Sequence, residues 1–130
     1  MIGVDSSAII DFFKKDESLR KLLESINVPL VVNRVTYLEI MFGLDFSNPL
    51  HRIEEGFYDR FFDSLMIFEL NRDSCKKATE IFWYLRKNGK IIELFDCVIA
   101  GIYLTNGITK IVTKNKKHFA NIKGLEVLSY

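Results

Sequence analysis

The sequence predicts a three-layer α/β domain built on a mostly parallel sheet of four or five strands. Short β-branched runs alternate with longer segments of helical periodicity, the pattern of repeated βα units. The run from Pro29 to Val32 is apolar throughout, as strands buried on both faces are. The 130 residues hold no Pro/Gly/Ser-rich linker and no repeat, so 1–130 reads as a single domain.

Met1 to Val4 is the first strand. Asp5, Ser6 and Ser7 open a helix through Phe13, with Ala8, Ile9, Phe12 and Phe13 at helical spacing. A short helix fits Glu17 to Ile26, and Pro29 to Val32 is the second strand. Thr36 followed by Glu39 is a capping-box pattern and predicts a helix to about Leu44. Ile53, Phe57, Phe61 and Leu65 fall on one stripe of an amphipathic helix. Met66 to Leu70 is a strand candidate. Asp73 to Lys87 is a helix with Ala78, Ile81, Phe82 and Leu85 inward, stopped by Asn88-Gly89. Ile91 and Ile92 suit a short strand or an extended link. Phe95 to Leu104 is an apolar helix, and the strands Lys110 to Thr113 and Leu125 to Leu128 complete the chain.

Composition narrows the function classes. Hydrophobic residues make up 48% and charged residues 27%, which excludes a disordered or low-complexity chain. A net charge of +1 gives no bulk attraction to nucleic acid or an anionic membrane, and leaves room for a local basic patch. Cys75 and Cys97 form neither a disulfide framework nor a zinc site and read as reduced thiols. The early acid Asp5 argues against a signal peptide, and Phe95 to Leu104 is too short to span a bilayer. The expectation is a cytoplasmic protein with no membrane partner.

Parallel α/β sheets place their ligand sites at the carboxyl ends of the strands. Four polar residues fall there: Asp5, Glu39, Asp96 and Asn115. Each has a local explanation. Asp5 can cap its helix, Glu39 can complete the box with Thr36, Asp96 can complement a helix dipole and Asn115 can hold a turn. Together they suggest a site. Asp96 is a lone charge in an apolar segment, and three converging acids repel unless a cation joins them. Oxygen donors without His or Cys point to Mg²⁺ or Mn²⁺. Glu93, three residues before Asp96, is a candidate auxiliary ligand or a solvated acid. Lys114, Lys116, Lys117 and His118 cluster beside the site and suit phosphate contacts or a solvated turn; Arg34 is a further candidate at the groove. The chain carries eleven Phe, five Tyr and one Trp, more than a small core needs. The segment with Phe42, Phe46, Phe57, Tyr58, Phe61 and Phe62 therefore serves the core, an interface, or both.

Four segments carry a resemblance. "MIGVDSSAIIDFF", "VNRVTYLEIMFGL", "ELFDCVIAGIYL" and "KIVTKNKKHF" resemble, in order and spacing, the four motifs of PIN domains, and in particular the small PIN proteins of the VapC toxin type. The resemblance implies a PIN-like α/β/α fold and a metal-dependent endoribonuclease that hydrolyses RNA phosphodiester bonds. It implies Asp5, Glu39 and Asp96 as catalytic metal ligands, with Asn115 where the family often has a fourth acid. Ser6 and Thr113 would hydrogen-bond these ligands or the phosphate, or only satisfy local backbone groups. It also implies a cognate antitoxin and a homodimer. Two alternatives stay open: a PIN nuclease of RNA maturation or decay, or of structured DNA, without an antitoxin, and a catalytically weakened PIN binding module, which Asn115 keeps in play. Response regulators share the layering but place two adjacent acids after the first strand, and this chain has one.

Overall fold

A computed structural model describes residues 1–130. Five strands, β1 (Ile2–Val4), β2 (Leu30–Asn33), β3 (Met66–Phe68), β4 (Lys110–Val112) and β5 (Glu126–Leu128), form one sheet in the order β3-β2-β1-β4-β5. Every pairing is parallel. The helices are α1 (Ser6–Phe13), α2 (Glu17–Glu24), α3 (Arg34–Phe42), α4 (Pro49–Asp63), α5 (Arg72–Lys87), α6 (Leu94–Thr105) and the single turn α7 (Lys116–Phe119).

Alternation along each strand feeds two cores. Ile2, Val4, Val32 and Val112 face a cluster with Ala8, Ile9, Leu19 and Phe62 from α1, α2 and α4. Val31 and Ile111 face the other, with Ala78, Ile81, Ile99 and Tyr103 from α5 and α6. The layers are held close at two glycines. A Cβ on Gly3 would stand 2.6 Å from the Tyr103 ring, and one on Gly101 would stand 2.8 Å from the Ser74 carbonyl oxygen. Gly3 lets α6 lie against β1, and Gly101 lets it lie against α5. These contacts set the height of α6, which carries Asp96. The buried Tyr103 hydroxyl donates to the Val4 carbonyl at 2.7 Å and accepts from the Val4 N–H at 3.2 Å.

Helix starts follow cap chemistry. Asp5, Asp16, Asn33, Asn48 and Asn71 each accept a backbone N–H of the first turn. This corrects the expected capping box at Thr36. The cap is Asn33, whose Oδ1 accepts from Thr36 N at 2.9 Å, so α3 begins at Arg34 and Glu39 falls in its second turn. Boundaries shift elsewhere: α2 ends at Glu24, α4 runs from Pro49 and stops before Leu65, and β3 ends at Phe68. Ile91 and Ile92 form no strand; Ile91 is wholly exposed and has no neighbouring strand to pair with. The expected turn after β4 is followed by α7. No helix is long and apolar enough to cross a membrane.

Candidate active site

Because all strands are parallel, their carboxyl ends share one edge, and the strand order reverses between β1 and β4. Open α/β sheets bind ligands at such a switch point. Asp5 leaves the end of β1 and Thr113 the end of β4, with α3, α6 and α7 closing around them. The result is a cavity of about 370 Å³ lined by Asp5, Ser6, Glu39, Glu93, Leu94, Phe95, Asp96, Asn115 and His118.

Asp5 is buried and held on both oxygens. Its Oδ1 accepts from the Ser7 hydroxyl at 2.7 Å and from Ala8 N at 3.1 Å; its Oδ2 accepts from the Thr113 hydroxyl at 2.6 Å. Those hydroxyls are themselves oriented: Lys114 N donates to Ser7 Oγ at 3.1 Å, and Asn115 N donates to Thr113 Oγ1 at 3.0 Å. Asp5 is therefore both a helix cap and a fixed carboxylate at the cavity. Burial still raises its pKa, against the lowering by Thr113, Ser7 and Ala8.

Glu39 is half-buried and its Oε1 accepts from the Ser6 hydroxyl at 3.1 Å. Burial raises its pKa, Ser6 opposes this, and the charges of Asp96 and Asp5 raise it further. Asp96 is buried in the first turn of α6, with Oδ2 2.8 Å from His118 Nδ1. Burial raises its pKa, the His118 contact opposes this, and Asp5 and Glu93 add repulsion. Three acids from three distant chain segments thus share one cavity, where the charge of Asp5 disfavours ionisation of Glu39 and Asp96, and that of Asp96 disfavours ionisation of Glu39.

The remaining expected residues divide. Asn115 lines the cavity as the residue before α7, its side chain making no cap bond, and Glu93 lines it as the residue before α6. Thr113 donates to Asp5 and Ser6 to Glu39. Lys114 lies 3.7 Å from Asp11, while Lys116 and Lys117 are exposed on α7 beside the cavity. Arg34 is not at the cavity wall; its guanidinium pairs with the Glu69 carboxylate at 2.8 Å and lies over the Tyr37 ring. Of the aromatic segment, Phe62 is core, whereas Phe42, Phe46 and Phe57 are exposed.

Two site residues escaped the sequence reasoning. Ser7 read only as part of a helix start, yet it shares the anchoring of Asp5 with Thr113. His118 read only as one of a basic cluster, yet it contacts Asp96 inside the cavity. Asn115 and His118 are three apart, the spacing that puts two residues on one helical face, but a single turn has no periodicity to reveal it.

Fold and site together define an α/β domain with a carboxylate cluster at the switch point of a parallel sheet. A family model described as PIN domain matches residues 2–125, and the chain belongs to that family. The fold is similar to that of VapBC2 from Rickettsia felis bound to a promoter DNA fragment, at 21% identity and a TM-score of 0.84, covering 100% of this chain and 99% of that one. It is similar to DNA-bound VapBC from Salmonella typhimurium at 20% identity and a TM-score of 0.84, covering 99% and 98%. A third likeness is to VapC20 from Mycobacterium tuberculosis, described as a sarcin-ricin loop cleaving toxin, at 14% identity and a TM-score of 0.68, covering 97% and 99%. No curated protein matches the chain.

Proposed function

We propose that this chain is a divalent-cation-dependent endoribonuclease and the toxin of a toxin–antitoxin pair. The observation that carries the reading is the convergence of Asp5, Glu39 and Asp96 in one cavity, each with its ionised form disfavoured. Support for the pairing comes from the neighbours, several of which are toxin–antitoxin complexes, and support for RNA from the neighbour described as a sarcin-ricin loop cleaving toxin.

The donor chemistry fits a hard cation. Three carboxylates and the Asn115 amide offer oxygen ligands, and a cation would relieve the mutual repulsion of the acids. No three His, Cys, Asp or Glu side chains stand together in ligating geometry in this structure. Glu39 is engaged by Ser6, and Asp96 by His118. Asp5, Glu39 and Asp96 would hold the cation, with Asn115 contributing an uncharged oxygen. Mg²⁺ or Mn²⁺ in such a site polarises a phosphoryl oxygen and lowers the pKa of water.

The chain's own part is positioning. Thr113 and Ser7 fix the Asp5 carboxylate, so its ligating geometry is set before substrate arrives. Ser6 does the same for Glu39. Lys116 and Lys117 present exposed ammonium groups beside the cavity for phosphates flanking the scissile bond. Lys114 and Arg34 are occupied by Asp11 and Glu69, which weakens their case as phosphate contacts.

An antitoxin needs an apolar seat. The groove between α1 and α2, about 630 Å³, is floored by Phe12, Phe13, Leu19 and Leu23 and rimmed by both signs of charge, which suits an amphipathic segment. A homodimer would bury the apolar surface of α5 and the start of α6, where Trp83, Leu94 and Phe95 are exposed. The test of the function is incubation of purified protein with a mixed RNA pool. Cleavage with Mg²⁺ or Mn²⁺ that EDTA abolishes is expected; equal cleavage in EDTA would refute the cation dependence.

A further inference from the structure

We propose that His118 is the positioning residue of Asp96: its Nδ1–H holds Oδ2 and so leaves Oδ1 for a cation. The inference rests on the cation reading above and concerns a residue outside its ligand set.

Each acid of the cavity is tied by a side chain from another part of the chain. Thr113 donates to Asp5, Ser6 donates to Glu39, and His118 Nδ1 stands 2.8 Å from Asp96 Oδ2. Asp96 has no second anchor, since its Oδ1 takes no hydrogen bond and α6 opens without a side-chain cap bond. The terminal torsion of an aspartate is broad and roughly two-fold, so the position of its Cβ does not fix its oxygens. The bond to His118 does.

His118 is itself restrained. The next residue, Phe119, is fully buried in the core, and His118 N donates to the Asn115 carbonyl at 2.9 Å. The His118 side chain is 44% exposed, but the Asp96 side chain that it holds is 10% exposed, so the bond lies at the drier end of the ring. An ionised carboxylate only accepts hydrogen bonds, which assigns the proton to Nδ1. The same contact turns Nε2 away from Asp96. The ring therefore acts on a cation through the carboxylate, as a charge-assisted donor that fixes a ligand's orientation.

The experiment is calorimetric titration of Mg²⁺ and, separately, of Mn²⁺ into the full chain as wild type, His118→Asn, His118→Gln and His118→Ala. An asparagine amide nitrogen reaches about where Nδ1 stands, and a glutamine amide nitrogen about where Nε2 does. Affinity is expected to fall by about tenfold or more in His118→Gln and His118→Ala, and to stay within a few-fold of wild type in His118→Asn. Long-range ¹H–¹⁵N spectra of the wild type, with and without Mg²⁺, are expected to show the proton on Nδ1. Any other ranking overturns the positioning role and leaves the cation-dependent nuclease standing: an unchanged or raised affinity in His118→Ala, a Gln variant that binds as well as the Asn variant, or an equal loss in all three. A wild type that binds neither cation overturns both. Where the variants fail to fold, the wild-type spectrum decides, and an Nδ1 without a proton removes the donor.

Discussion

The Thr113 hydroxyl donates to Asp5 Oδ2 at 2.6 Å, joining residues 108 positions apart in the chain. The bond spans the ends of β1 and β4, the strands on either side of the switch point, so the sheet order itself assembles the cavity. Thr113→Val keeps the shape of a fully buried side chain and removes both this donor and the acceptor of Asn115 N. A bond to a charged group contributes about 1.5–3 kcal/mol, so urea denaturation should show a loss of that order. Thr113→Ser should retain most of the stability, and an equally stable Val variant would refute the anchoring role.

Glu39 makes the opposite prediction for stability. Its folded-state pKa is raised, chiefly by burial, so the ionised carboxylate destabilises the fold. With a raised pKa the folded state binds more protons, and stability falls as pH climbs from the unfolded value through the folded one. Glu39→Gln should therefore raise the cation-free melting temperature by a few degrees at neutral pH, with the advantage vanishing in acid below the unfolded value. Thermal melts at several pH values check this; a destabilised Gln variant at neutral pH would contradict it.

Gly3 and Tyr103 test how α6 is held against the sheet. Gly3→Ala drives a methyl into the Tyr103 ring and should cost at least about 1–3 kcal/mol. Tyr103→Phe leaves the ring in place and strands the polar groups of Val4, costing about 1–3 kcal/mol. The double variant should not recover the loss from Gly3→Ala, because the ring and not the hydroxyl is the obstacle. Denaturant midpoints of the three variants decide.

The α7 lysines should act on RNA electrostatically. Lys116→Ala and Lys117→Ala should each weaken RNA binding across sequences and lower the salt slope by about 0.7 for each phosphate left without its ammonium partner. Arg34→Ala should change both little, since its guanidinium is committed to Glu69. Binding of a catalytically inactive variant across a salt series measures this. A larger effect from Arg34 than from either lysine would move the RNA path away from α7.

What was legible in the sequence follows from which interactions are local. Alternating periodicity announced the layers, and parallel strands alone sufficed to place Asp5, Glu39, Asp96 and Asn115 at one edge. Sheet order is a long-range property and was not legible. The start of α3 was misread because two cap patterns overlap: Asn33 to Thr36 and Thr36 to Glu39 are both three residues apart. Asn33 lies just past the expected strand Pro29 to Val32, and it is both strand end and cap. The overlap mattered, since it supplied Glu39 with a local role in place of its contact with Ser6. Ile91 and Ile92 have the residue type of a strand but no partner. His118 was hidden in a run of lysines, and only the fold of the one-turn α7 brings it to Asp96.

Whether Asp5, Glu39 and Asp96 work as one site is decided by the rate of RNA cleavage by Asp5→Asn, Asp96→Asn and the double variant, each shown to be folded. Residues acting as a unit are non-additive. Each single variant should lose on the order of a thousandfold, and the double no more than either. Single variants that cleave within a few-fold of wild type, with the cleavage still removed by EDTA, would contradict a shared site.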